Sequence, residues 1–201
     1  MEIRIRNDAI EIDGYVNAVE RLSKPLTSRI GRFLERIKAG AFGRAIKRNP
    51  DVRMLLNHDE NRELANTANG TLELREDAIG LKAHATITDA DVVQKAREGR
   101  LVGWSFGFYD MDVEPGEENG MPVRNVKELD LREVSLLDDT KRPAYDGTLV
   151  EIRSEDENMR FGEETEAEFI IRDENPQPPN AEIDYSKYET MIAEMKGAKI
   201  P

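Results

Sequence analysis

Short runs of alternating apolar and polar residues fill most of the first 153 positions, and this period of two restricts the fold more than any other feature. Such alternation is typical of β-strands with one buried face. Residues 1–19 contain two runs that meet at Asn7 and Asp8, which predicts a hairpin. Further strands are predicted in the segments VRMLLNHD, TLELRED, GLKAHATIT, LVGWSFGFYDMDV, VKELDLREVSLLD and GTLVEIR.

Two segments have helical spacing instead. Residues 32–49 carry apolar side chains three and four positions apart, with an interruption at Gly40. Residues 89–99 predict a second helix whose N-cap is Asp89 or Asp91. Many antiparallel strands with two or three helices predict an α+β fold that is mainly β, or a partly closed β-barrel.

The distribution of charge divides the chain near residue 153. Residues 24–49 contain eight basic residues and one acidic residue, whereas residues 151–174 contain ten acidic residues and three arginines. The Pro-containing run ENPQPPN follows, and such a composition buries too little apolar surface to offset the entropy of ordering. We therefore predict a folded domain over residues 1–153 and a disordered acidic tail over residues 154–201, with a short helix in YSKYETMIAEMKG.

The overall composition argues against several classes of function. A net charge of −12 disfavours nucleic acid as a partner, because a negative surface repels phosphate. The chain has no cysteine and only two histidines, His58 and His84, so we predict no metal and no cofactor. It has no long apolar run and no signal-peptide core, so we expect a soluble, intracellular protein without a membrane partner.

One apolar strand, LVGWSFGF at residues 101–108, holds a lone serine between two aromatic residues. The letters G-W-S-F-G around Ser105 match the nucleophile elbow of α/β-hydrolases. That elbow requires a helix directly after the serine and a histidine later in the chain, and no histidine follows His84. An α/β-hydrolase is therefore excluded. A serine nucleophile with an upstream histidine stays open, as does a structural serine that bonds to its own backbone.

Either histidine could serve such a serine as a base. His58 lies where an apolar strand ends in a polar cluster, and catalytic groups commonly lie in loops after strands. His84 lies inside an alternating strand and is the weaker candidate. A carboxylate would then orient the imidazole, and Glu133 is a single acid within an apolar strand. Asp59 and Asp51 are alternatives, and an ordinary outward-facing position is the competing interpretation of Glu133.

Six further segments are distinctive: Ile37–Phe42, Leu55–Asp59, Gly70–Leu81, Gly103–Phe108, Leu131–Leu136 and Pro143–Thr148. Together, over roughly residues 10–153 and in the family's order, they resemble the prohead maturation protease family of tailed bacteriophages. This family is similar to the herpesvirus assembly proteases, whose fold is a β-barrel flanked by helices. The resemblance implies an antiparallel, partly closed β-barrel as a serine protease domain, with Ser105 as nucleophile, His58 as base and Glu133 as the third member.

The resemblance also implies a serine endopeptidase that works through an acyl-enzyme, in the bacterial host cytoplasm inside an immature capsid. Its expected partners are the major capsid protein or its scaffolding segment, a separate scaffold protein, and the chain itself, by self-cleavage or in a homodimer. Two other interpretations stay open. One is a catalytically inactive assembly or scaffold protein on the same fold, and the other is a β-barrel binding module whose acidic tail recruits a basic partner.

Overall fold

The computed structural model of the protein describes residues 2–28, 31–141, 159–162 and 164–174, and strands dominate in them, as the period-two pattern predicts. The strands are β1 (Glu2–Arg6), β2 (Ala9–Ala18), β3 (Leu26–Ser28), β4 (Gly31–Ile37), β5 (Arg53–Leu56), β6 (Asp59–Asn66), β7 (Leu72–Glu76), β8 (Gly80–Ile87), β9 (Leu101–Glu118), β10 (Met121–Asp138), β11 (Arg160–Phe161), β12 (Thr165–Glu166) and β13 (Ile170–Asp173). The helices are α1 (Ala41–Arg48) and α2 (Ala90–Arg97), and a short 3-10 turn covers Asp139–Lys141.

The strands form two sheets. One has the order β13-β1-β2-β8-β7, and the other has the order β11-β9-β10-β4-β3, with β5 joined to β10 and to β6. The second sheet is built on the long antiparallel hairpin β9–β10, whose turn at Asn119 and Gly120 has positive φ at both residues. An Asn-Gly pair suits such a turn. The acidic stretch before this turn therefore continues the strand.

The α+β, mainly β class is confirmed, but the predicted partly closed β-barrel is wrong for the described residues. No sheet closes on itself there: β13 and β7 end one sheet, and β3 and β11 end the other. A barrel needs a continuous ring of paired strands. Alternation of side chains could not reveal this, because an open sheet and a barrel both present one face to the core.

The helix predicted over residues 32–49 is confirmed only beyond Gly40. Residues 31–37 form β4, which pairs in parallel with β10 through Leu34 and Val123. Pairing with a strand distant in sequence thus overrides the local helical spacing. The second predicted helix is confirmed, and the carboxylate of Asp89 caps it by accepting the Val92 N–H at 3.1 Å.

The acidic tail contributes three short strands in its described residues. Strands β11 and β12 pair antiparallel with β9, and β13 pairs in parallel with β1. The prediction of disorder is wrong for these residues, since backbone pairing at existing sheet edges requires few apolar side chains. The predicted boundary at residue 153, the predicted strand at 147–153 and the predicted helix at 185–197 lie outside the described residues.

One face of β9 packs against helix α1 in the core. Trp104, Phe106 and Phe108 are fully buried, and the Phe106 ring packs against Phe42 with a centroid distance of 5.2 Å. Since successive side chains of a strand point to opposite faces, the other face of β9 carries Ser105. Neither of the helices in the described residues has the length and apolar character needed to cross a membrane.

Candidate active site

Ser105 lies in the buried half of β9 with no exposed surface. Its neighbours Trp104 and Phe106 are equally buried and anchor the backbone on both sides of it. Strand β10 runs antiparallel beside it and places Ser135 directly opposite Ser105. The hydroxyl is therefore held on a rigid element. This rigidity is compatible both with a nucleophile and with a structural serine.

The same face of β10 carries a buried carboxylate. Glu133 lies opposite Gly107 after a register shift at Arg132, and both Glu133 and Ser135 are buried. A β-carbon at Gly107 would lie 2.6 Å from the Oε1 atom of Glu133, so the glycine leaves room for the carboxylate. The competing interpretation of Glu133 as an outward-facing residue does not fit its 1% exposure.

His58 is supplied by the turn between β5 and β6. Asn57 and His58 have φ values of 56° and 61°, as in a two-residue type I′ hairpin. Residues with a β-carbon adopt this conformation at a cost, so their surroundings must hold them there. The N–H of Asn57 donates to the Leu136 carbonyl at 3.0 Å, and the N–H of His58 donates to Ser135 Oγ at 3.0 Å.

A third contact ties this turn to the end of β10. The N–H of Asp138 donates to Asn57 Oδ1 at 3.1 Å, and the Asp138 carboxylate lies 3.1 Å from Lys95 of α2. Burial opposes ionisation of Asp138, but hydrogen bonds with Thr140, Asn57 and Lys95 lower its pKa to about 2. The carboxylate is thus charged at neutral pH and fixes the residue that precedes His58.

His58 and Glu133 form a buried pair. The Nδ1 atom of His58 lies 2.7 Å from Glu133 Oε1, and Ser135 Oγ donates to the other carboxylate oxygen at 2.7 Å. A carboxylate at Nδ1 keeps the proton on that nitrogen and leaves Nε2 as an acceptor. Within the described part of the chain, Nε2 is buried and has no hydrogen-bond partner. Buried polar atoms are rarely left unpaired, and this atom is the one a base would use.

The other candidates lie elsewhere. His84 is in the first sheet, where its half-exposed ring contacts Asp13 at 3.1 Å. Asp59 and Asp51 are exposed; Asp59 accepts a hydrogen bond from Asn61. The geometry favours His58 over His84 and Glu133 over both aspartates.

A segment of the tail covers the site. Ser105 Oγ donates to the carbonyl oxygen of Gly162 at 3.4 Å. The ring of Phe161 packs edge-on against the His58 ring, with centroids 4.5 Å apart. Sequence reasoning missed these residues, because the tail was expected to be disordered.

Ser135 was also missed. A lone serine in an apolar strand gives little signal, and its contact with Glu133 depends on the two-residue spacing that places both on one face of β10. The segment L-R-E-V-S-L contains that spacing, but the sequence does not show that this face meets Ser105.

A buried serine, and on the same face of the sheet an imidazole paired with a carboxylate, are the types of group that serine proteases use. A family model described as caudovirus prohead serine protease matches residues 1–161. The chain belongs to this family, and membership gives it serine protease activity in general and a role in capsid maturation within the phage procapsid. No curated protein and no solved structure matches the chain.

Proposed function

We propose that the protein is a serine endopeptidase in which Ser105 is the nucleophile, His58 the general base and Glu133 the group that orients His58. Its substrates are scaffold or coat-protein segments and the chain itself, inside the immature capsid in the host cytoplasm. The observation that carries this proposal is the buried 2.7 Å contact between His58 and Glu133, on the face of the sheet that holds Ser105.

The chemistry follows from these groups. Ser105 Oγ attacks the scissile carbonyl carbon while His58 Nε2 takes the hydroxyl proton and then passes it to the leaving amine. Glu133 stabilises the imidazolium that forms. In the structure the Ser105 hydroxyl donates to Gly162, so it must turn to Nε2 for attack. Such contacts often tighten only when a substrate is bound.

Ser105 is a better nucleophile than its cross-strand neighbour Ser135. The Ser135 hydroxyl donates to Glu133 and its oxygen accepts the His58 N–H, so both functions of this group are already used. Ser105 lies one strand further out, where a carbonyl of another segment reaches it. We therefore assign Ser135 a positioning role.

The two arginines of β10 pair with carboxylates outside the candidate site. Arg124 pairs with Asp110 at 2.6 Å and with Glu35 at 3.2 Å, and Arg132 pairs with Asp130 at 3.5 Å. These contacts give no support to an oxyanion role for either side chain. The proposal therefore assigns stabilisation of the oxyanion to backbone N–H groups.

The test compares wild type, Ser105→Ala and Ser135→Ala in digestion of a bacterial peptide library, with new ends identified by mass spectrometry. Ser105→Ala should lose turnover by ~10⁴-fold or more. Ser135→Ala should retain turnover within ~10²-fold, as expected for indirect support of a base. Activity that survives in Ser105→Ala would refute the assignment. A folded wild-type protein that cuts neither the library nor itself would point to the inactive scaffold alternative.

A further inference from the structure

A strand of the acidic tail lies along the outer edge of β9. Residues 160–162 pair antiparallel with residues 106–108, and residues 165–167 pair with residues 102–104. The other edge of β9 is taken by β10. Extended peptides bind proteins in this way, by adding a strand to a sheet edge.

The pairing is interrupted opposite Ser105. Phe161 lies across from Gly107 and Thr165 across from Trp104, so four steps along the tail match three steps along β9. One extra tail residue is therefore accommodated at this point, as in a β-bulge. Regular pairing with β9 therefore stops after Gly162 and resumes at Thr165, on either side of the position opposite Ser105.

One tail carbonyl contacts the proposed nucleophile. Gly162 is buried, its N–H donates to the Phe106 carbonyl at 2.9 Å, and its oxygen lies 3.4 Å from Ser105 Oγ. The contact brings a tail carbonyl group against the serine. Attack requires Oγ to turn from this oxygen to the adjoining carbonyl carbon, which must lie within about 3–3.5 Å in a productive complex.

Two glycines make this approach close. A β-carbon at Gly103 would lie 2.3 Å from the Thr165 carbonyl oxygen, and a β-carbon at Gly162 would lie 2.1 Å from the Phe106 ring. Both distances are far below van der Waals contact. Any residue other than glycine at position 162 would therefore require the Phe106 ring or the tail backbone to move. The preceding position is different, because Phe161 is 8% exposed and packs on His58.

We propose that the outer edge of β9 is the substrate-binding edge, that residues 160–162 and 165–167 occupy it as a substrate strand does, and that the protease cuts its own chain after Gly162. The preferred substrates are extended segments with a large apolar residue followed by glycine. This proposal rests on the proposed function, and it names the substrate class of that site.

The reaction balances with the groups present and water. Ser105 Oγ bonds to the Gly162 carbonyl carbon and its proton moves to His58 Nε2. The bond from that carbon to the next nitrogen breaks, and the nitrogen leaves with the proton. Water then adds to the ester, its proton returns through His58 to Ser105, and the products are residues 1–162 and 163–201.

The test incubates the full 201-residue chain and measures intact masses over time, with the peptide library in a parallel sample. Wild type should yield the fragment ending at Gly162, and Ser105→Ala should not. Phe161→Ala should slow this cut by at least ~10-fold, the scale of one lost apolar group in a pocket. Phe169→Ala is the matched control, since it removes a phenyl ring from the same tail beyond the paired stretch, and should change the rate less than ~twofold.

The outcomes separate the two proposals. A Ser105-dependent enzyme that cuts the library but leaves its own chain intact, or cuts it only at another bond, overturns this inference and leaves the proposed function standing. Equal slowing by Phe161→Ala and Phe169→Ala also overturns it. A library cleaved preferentially after glycine with an apolar residue before it supports it. Loss of all cleavage in wild type removes the proposed function itself.

Discussion

At the scale of single residues, the candidate site depends on which nitrogen of His58 carries the proton. The carboxylate of Glu133 faces Nδ1, so Nε2 remains free to accept a proton from a serine. The backbone of His58 is held by Ser135, which also contacts the carboxylate. One buried hydroxyl thus fixes both members of the pair.

The two histidines provide the first test. His58→Ala should lower turnover by ~10⁴-fold or more, because it removes the only base that the site contains among the described residues. His84→Ala should change turnover by less than ~10-fold, since its ring pairs with Asp13 in the other sheet. Kinetics on a peptide containing Phe-Gly, with circular dichroism to confirm folding, would measure both. Equal inactivation of two folded variants would contradict the assignment.

Glu133 provides the second test. Glu133→Gln keeps the size of the side chain but removes the charge that stabilises the imidazolium, so turnover should fall by at least ~100-fold. The exposed Glu73 of β7 is a suitable control, and Glu73→Gln should have near-normal turnover. If Glu133→Gln were as active as this control, the carboxylate would have no catalytic role, and Asp59 and Asp51 would need to be tested.

At the scale of elements, local patterns predicted the β1–β2 hairpin and helix α2 but not strand β4. Phe33, Leu34 and Ile37 have helical spacing, yet their segment pairs with β10, which lies about ninety residues away. The residues of the candidate site differ in the same way. Ser105 and His58 could be recognised as candidates from the sequence, because each is a polar residue at the centre or end of an apolar run. Ser135 could not, because its role depends on a cross-strand register that only the folded chain defines.

A contact between a buried carboxyl group and a half-buried arginine connects three strands and makes a prediction about pH. Glu35 of β4 lies 3.2 Å from Arg124 of β10, which also pairs with Asp110 of β9. Burial raises the pKa of Glu35 to about 7, although Arg124 opposes the shift. Between the ordinary value of 4.5 and about 7, the folded protein holds a proton that the unfolded chain releases. The contribution of this group to stability therefore falls as pH rises through that range.

Glu35→Gln should remove this dependence. The Tm of Glu35→Gln minus the Tm of wild type should become more positive between about pH 5 and about pH 8, because only wild type must ionise a buried carboxyl group. Glu117→Gln, at an exposed position on the same hairpin, should follow wild type at every pH. Parallel curves for Glu35→Gln and wild type would show that Glu35 has an ordinary pKa.

At the scale of the whole molecule, the tail supplies edge strands to both sheets. Strand β13 extends the first sheet and is held by ion pairs from Asp173 to Arg97 at 3.2 Å and from Glu174 to Arg6 at 2.9 Å. Strands β11 and β12 extend the second sheet across the candidate site. A substrate that binds the same edge must therefore displace a segment tethered to the protein, and such tethers act at effective concentrations in the millimolar range.

A chain ending at Arg153 should consequently stay folded and cut peptides in trans at least as fast as the full chain. Among the described tail residues only Phe161 and Gly162 are buried, and loss of the Phe161 contact costs about 1.5–3 kcal/mol. The Tm should fall by several degrees while unfolding remains cooperative. The apparent KM should fall in initial-rate measurements, because no tethered strand competes, whereas kcat should change little.

A chain ending at Glu174 is the matched control, since it keeps all three tail strands and should match the full chain in both Tm and KM. An unfolded or inactive chain ending at Arg153 would show instead that the tail strands are part of the protease domain and that the boundary lies further along the sequence.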